Sequence, residues 1–283
     1  MPNHQDMPTP RYVYPRLSPY DFAYFRMGGA GLANCMFVAA RAFINAQQRG
    51  LPLIAPTWLR LSIGQFLRGD RDKRVYSNLF FNCGITGLRK AYLLTFARKH
   101  LLSYKGNGPH FVDLEPHHEL IQDYFNQITR PETIALVPSK EQLADCVAVH
   151  VRLGDYMASW RIPIDWFVGV ISNALKLNPN QRFLIFSDGS DEELTPLTSL
   201  PNTKRVFYGN AYADMIAISR CKMLVASDST FSCWGAFLGR VPSLFCRRNF
   251  PSVFSGNVPE EVIGVSTELP QAFKEIIAQT SYA

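Results

Sequence analysis

From residue 145 onward the sequence alternates continuous apolar runs with amphipathic ones, and this alternation restricts the chain to one class of fold. CVAVHVR (146–152), RFLIFSD (182–188), TKRVFYG (203–209), MLVAS (223–227) and PSLFCR (242–247) read as strands. IDWFVGVISNALKL (164–177), EELTPL (192–197), YADMIAISRC (212–221), STFSCWGAFLGR (229–240) and LPQAFKEIIAQTS (269–281) read as helices. Strands that are apolar at consecutive positions must be buried on both faces, which is the pattern of a parallel sheet covered by helices. The expected class is α/β.

The earlier part of the chain starts in the same way. DFAYFRM (21–27) is strand-like and stops at Gly28, Gly29, Ala30 and Gly31. A helix is expected next, with Leu32, Met36, Ala39, Ala40, Phe43 and Ile44 on one face and a stop near Gly50. LPLIAP (51–56) then reads as a second strand, completing a βαβ unit. GLRKAYLLTFARKHLLSY (87–104) is helical by period, HHELIQDYFNQI (117–128) reads as another helix, and residues 1–20 read as a loosely held arm. The chain of 283 residues is longer than one compact core usually holds. Two lobes are therefore expected, residues 1–144 and residues 145–283.

Composition narrows the functional classes. Hydrophobic residues make up 47% and charged residues 18%, as in an ordinary globular protein. The net charge of +6 favours an anionic partner, yet it is dispersed. The densest basic stretches are Arg68 to Arg74, which includes Asp70 and Asp72, and Arg98 to His100. Nothing resembles a zinc finger or an RNA-binding aromatic motif, so no nucleic-acid partner is expected. The six cysteines form no CxxC pair, which suits reduced, buried thiols better than a disulfide framework. The polar, Pro-rich start is not a signal peptide, and no run of about 18 apolar residues occurs. The expected location is cytoplasmic, with peripheral membrane contact left open.

Ligands of open α/β sheets bind at the carboxyl ends of the strands, so polar residues just past those ends are the candidates for chemistry. The glycine loop ending at Gly31 opens a helix whose first turn holds Asn34; it is a phosphate cradle or a plain tight turn. His150 and Arg152 share a face of their strand. Arg152 suits a diphosphate because its planar fork pairs two oxygens, or it bridges to Asp155 across the turn. His150 faces a ligand or is a satisfied core histidine. Ser187 and Asp188 end the next strand, where Asp188 accepts hydrogen bonds from a base or ribose, or caps the following helix. Ser227 to Ser232, including Ser229, Thr230 and Phe231, gather hydroxyls at another helix start, more than one cap requires.

Together these segments resemble glycosyltransferase family 11, the α-1,2-fucosyltransferases. GLANCMF (31–37) falls where that family has a GGLGNQMF-type opening, HVRLGDY (150–156) where it has HxRRGDY, and FSDG (186–189) where it has FSDD. DMIAISRCKMLVASDSTFSCWGAFL (214–238) matches the long motif DMxLMSxCKHxIxANSSFSWWGAWL. The departures are Leu153 for the second Arg of HxRRGDY, Cys35 for Gln, Ala33 for Gly, Asp228 for Asn, and Cys233 and Phe237 for two Trp residues.

The resemblance implies two Rossmann-like lobes of the GT-B type with a nucleotide-sugar cleft between them. It implies inverting transfer of L-fucose from GDP-fucose to a galactoside hydroxyl, in α-1,2 linkage, with no metal or other cofactor. Arg152 would grip the diphosphate, and Ser229 and Thr230 would help bind it. His150 and Asp188 would sit near guanine, and Gly31 with Asn34 would close over the diphosphate. Asp155 is the nearest carboxylate for a general base. Transfer of another GDP-sugar, or binding of a GDP-sugar or glycan without catalysis, are the alternatives, the latter resting on the absent second Arg. On this reading Arg152→Ala abolishes transfer and Leu153→Arg is tolerated.

Overall fold

The computed structural model describes residues 9–61, 76–106, 108, 110–154 and 158–279. The chain forms two compact units, residues 1–109 with 116–131, and residues 110–115 with 132–283. The division expected at 144/145 therefore lies inside the second unit. Arg220 accounts for this, because its guanidinium donates to the carbonyls of Val137 (3.3 Å) and Pro138 (2.7 Å) and ties residues beyond 132 to that unit. Residues 110–115 join it through Phe111, whose ring lies 5.3 Å from Trp234 and 5.2 Å from Phe237.

Unit 1 contains β1 (Tyr12–Pro15), β2 (Tyr20–Asp21), β3 (Arg26–Met27), α1 (Leu32–Arg49), β4 (Arg60–Leu61), α2 (Gly87–Phe96), β5 (Leu101–Tyr104) and α3 (His118–Ile128). Of the expected loose arm, residues 1–8 lie outside the described residues and the rest is structural. β1 pairs in parallel with β5, and Val13 is fully buried. The expected strand 21–27 is a tight antiparallel pair of two-residue strands, β2 and β3. Asp21 causes the break: its Oδ1 accepts the Ala23 N–H (2.9 Å), and Ala23 takes a positive φ of 69°. Helix α1 follows as expected and stops at Gly50, whose φ of 61° suits a residue without Cβ. LPLIAP contributes two parallel bridges, Val13 to Leu53 and Ile54 to Ile85. The run expected to be helical to residue 104 ends at Phe96 and continues as β5. Lys90 and Leu93 turn the inner face of α2 toward the core. There the Lys90 ammonium donates to Thr57 (2.8 Å), whose hydroxyl donates to Asp21 (2.7 Å).

Unit 2 carries β6 (Cys146–Val151), α4 (Ile164–Leu177), β7 (Arg182–Ser187), α5 (Asp191–Thr198), β8 (Thr203–Arg205), α6 (Ala211–Ser219), β9 (Met223–Ala226), α7 (Thr230–Gly239), β10 (Ser243–Phe245), β11 (Glu260–Val262) and α8 (Gln271–Ala278). Six strands form one sheet in the order β11-β10-β9-β6-β7-β8, and every pairing is parallel. All six residues of β6 are buried, as its unbroken apolar run requires. Val147, Val149 and Val151 pack with Phe167, Phe183 and Phe273 in one core. Each of those phenylalanines contributes about 1.5–3 kcal/mol by leaving water. The alternate residues point to the other face, where His150 meets Ser232 of α7. The strand order reverses between β6 and β9, since β7 and β8 extend to one side and β10 and β11 to the other. A crevice opens at the carboxyl ends of strands flanking such a reversal.

Candidate functional site

Two of the loops singled out in the sequence, those after β6 and β9, meet at this reversal, and the loop after β7 lies beside them. Register brings them together: Val151 pairs with Ser187 and His150 with Ala226. Arg152 follows β6, and its guanidinium pairs with the Asp188 carboxylate. The other Asp188 oxygen, Oδ1, accepts the N–H groups of Leu153 (2.8 Å) and Gly154 (3.1 Å). Asp188 thus clamps the β6 loop and orients the arginine. Capping of the following helix falls to Ser190 instead, in a reciprocal box with Glu193. A Cβ on Gly154 would strike the Asp188 carboxylate, so the close approach needs glycine there.

His150 is buried, and its Nδ1 lies 2.6 Å from Ser232 Oγ. Ser232 Oγ donates to the Ser227 carbonyl (3.0 Å), so the imidazole Nδ1–H is the donor in the histidine contact. The ring stacks on Phe231 with centroids 4.9 Å apart. Burial, with a smaller effect from Arg152, pulls the His150 pKa down to about 4 against the opposing pull of Asp188, so the ring is neutral at neutral pH. Ser229 is the N-cap of α7, its hydroxyl accepting the Ser232 N–H (3.2 Å) and lying 2.9 Å from Ser232 Oγ. Thr230 and Phe231 open α7 half-buried, and their N–H groups precede the helix's own hydrogen bonds. Ser187 Oγ accepts the Gly189 N–H (3.0 Å).

Leu153 does not face this site. It is 4% exposed and belongs to the apolar core of unit 2. A Cβ on Gly189 would lie 2.5 Å from its Cδ1, which shows how closely the leucine is enclosed. The expected tolerance of Leu153→Arg is therefore corrected, because in this chain position 153 is a packing position. Asp155 lies outside the described residues. Gly31 and Asn34 belong to unit 1, at the N-terminus of α1, where Gly31 is the N-cap and Asn34 is exposed. The preceding loop is held from beneath by buried Arg26, which donates to the Gly28 carbonyl (2.8 Å) and the Thr57 carbonyl (3.1 Å).

Ser227, at the start of the expected hydroxyl loop, accepts the Arg152 N–H (3.0 Å) and so joins the two central loops. Sequence reasoning missed several arginines around the strand ends. Arg205 ends β8 and donates to the Gly189 carbonyl (2.6 Å) while pairing with Asp191. Reading β8 as far as Gly209 hid Arg205 in mid-strand; a strand stopping at residue 205 would have marked it. Arg161 donates to the Gly154 carbonyl (3.2 Å), and Arg247, after β10, donates to the Ser159 carbonyl (2.8 Å).

A doubly covered parallel sheet with a clamped arginine and a helix N-terminus at its reversal defines a doubly wound α/β unit with a crevice at its strand ends. Over 87% of this chain and 72% of the other, the fold matches Arabidopsis thaliana FUT1, solved in complex with GDP, at a TM-score of 0.51 and 13% identity. The fold class is GT-B, as expected. Within the sequence, residues 119–244 match the model of glycosyl transferase family 11. A curated relative, the O-antigen biosynthesis glycosyltransferase WbnK of Escherichia coli, is 27% identical over 105 residues, covering 34% of this chain and 35% of WbnK. The match thus spans about a third of that relative. The fucosyltransferase NodZ from Bradyrhizobium aligns over 83% of this chain and 94% of its own, with 16% identity and a TM-score of 0.48.

Proposed function

We propose that the protein is a glycosyltransferase that moves L-fucose from GDP-fucose, with inversion, to the 2-hydroxyl of a galactoside. The observation that carries this reading is Arg152, held by Asp188 at the point where the sheet reverses, beside the N-terminus of α7. The family match and the GDP found with FUT1 support a GDP-sugar as the donor.

The chemistry is direct displacement at the anomeric carbon. As the bond to the diphosphate breaks, negative charge grows on the departing GDP. Arg152, the Thr230 hydroxyl and the first N–H groups of α7 are the donors proposed to receive it. A preorganised donor of this kind typically contributes about 3 kcal/mol to barrier lowering. Asp155 is the proposed base for the acceptor hydroxyl. Full activity of Asp155→Asn across the pH range would remove it from that role.

The binding-only alternative rested on a cation missing at position 153. Leu153 is packed in the core and supplies no cation to the donor site, so product formation is what separates that alternative from an enzyme. The test combines thermal stability, with EDTA present, in GDP, UDP, ADP and GDP-fucose with product analysis on β-galactosides. A ligand at about 100 times its dissociation constant adds roughly 2.7 kcal/mol. Stabilisation by the guanine nucleotides alone, with an α-1,2-fucosylated product, is expected. Equal response to all nucleotides, or a strict metal requirement, overturns the donor assignment; a product with another linkage overturns the acceptor assignment.

A further inference from the structure

The outward face of α2 is unlike the exterior of an ordinary soluble helix. Leu88, Tyr92 and Phe96 recur every fourth residue and are 83%, 61% and 73% exposed. They form one stripe along the helix, since residues four apart lie above one another. The Tyr92 and Phe96 rings are 5.5 Å apart, so the stripe is continuous at that end. The helix already buries Lys90 and Leu93 on its inner side. Its apolar outer face is therefore additional to what folding requires.

Charge accompanies the stripe. Arg89 lies at its edge, and Arg98 and Lys99 follow the last turn, all three exposed. Between Asp72 and Asp113 the sequence has seven Lys or Arg and no Asp or Glu. The surrounding unit is basic as a whole, with sixteen Lys and Arg against six Asp and Glu, whereas unit 2 has thirteen against seventeen. An apolar stripe rimmed by cations suits the boundary between acyl chains and anionic headgroups. A second copy of the same face would bring like charges together, and a neutral glycan would make no use of the cations. No described helix is long and apolar enough to cross a membrane, so contact here means lying on its surface.

We propose that α2 docks unit 1 on an anionic lipid surface, with Leu88, Tyr92 and Phe96 entering the headgroup region and Arg89, Arg98 and Lys99 meeting lipid phosphates. This is independent of the donor assignment, because it is read by vesicle binding alone. The full chain would be sedimented with vesicles of phosphatidylcholine and of phosphatidylcholine mixed with phosphatidylglycerol, at low and high salt. Binding only to the mixture, weakened by salt, is expected. Leu88→Ser/Tyr92→Ser/Phe96→Ser and Arg89→Gln/Arg98→Gln/Lys99→Gln should each lower partitioning by at least about tenfold without lowering the melting temperature. Leu88→Trp supplies a second readout, with its emission moving to the blue when mixed vesicles are added. Absence of vesicle binding, binding that neither triple variant weakens, or no emission shift overturns the proposal. So does a dimer in light scattering that the serine variant disperses while vesicles bind nothing, since the stripe would then be a self-association face.

Discussion

Position 153 separates what a motif suggests from what packing demands. In a family pattern it reads as a lost arginine, but the side chain is enclosed by Gly189 and the core beneath β6. Leu153→Arg would bury an unpaired guanidinium, and we expect a loss of upward of about 3 kcal/mol in urea unfolding; an unchanged midpoint would contradict this placement. Arg152→Ala should lower turnover on the order of a hundredfold or more, with little change in stability, and wild-type turnover would remove Arg152 from the donor site. His150 gives a pH signature. Its folded pKa of about 4 lies below the ordinary 6.5, so the unfolded chain binds the extra proton between those values. Stability from this group is complete above about pH 6.5 and falls as pH drops toward 4, by at most about 3 kcal/mol. Melting curves of wild type and His150→Gln across that window should differ in slope, and parallel curves would show that His150 does not titrate there.

At the scale of elements, α6 and α7 are pressed together by glycine. A Cβ on Gly235 would lie 2.7 Å from Ile218 Cγ2, and one on Gly239 would strike the Ser219 backbone. Gly235→Ala must displace Ile218 or push α7 away from α6, so a loss of about 1–3 kcal/mol is expected, with weaker GDP binding if α7 is the part that moves. An alanine variant with wild-type melting and GDP affinity would show that the helices can part at no cost. The buried strands β6, β7 and β9 were legible because an uninterrupted apolar run has few other uses. Elements at the margins were not. β11 is an edge strand beginning with two glutamates, so it lacks the apolar pattern. β1 is a short YVYP run in a polar, proline-bearing stretch, and it becomes a strand only through a distant partner. The helical period of residues 87–104 continued through LLSY, because a short apolar run fits helix and strand alike.

For the whole molecule, contacts distant in sequence decide both the site and the units. The loops of the site could be named from strand ends alone. That Arg152 pairs with Asp188 follows from the β6–β7 register, which no local pattern contains. Likewise Phe111 is embedded against Trp234 and Phe237, although the rest of unit 2 begins at residue 132. A chain trimmed to residues 132–279 should therefore expose that aromatic pocket and bind a hydrophobic dye, and Phe111→Ala in the full chain should lose about 3–5 kcal/mol. A trimmed chain as stable as its counterpart in the intact protein would contradict this. The pairing of Tyr12 with Leu101 bears on synthesis as well. Leu53 can bridge Val13 early, but about 90 residues separate β1 from β5, so at 5–20 residues per second the ribosome leaves the β5-facing edge of β1 unmatched for roughly 4–18 seconds. For that interval Val13 and Tyr14 are an open strand edge on a nascent chain, a natural point for a chaperone to hold or for a neighbouring polypeptide to capture.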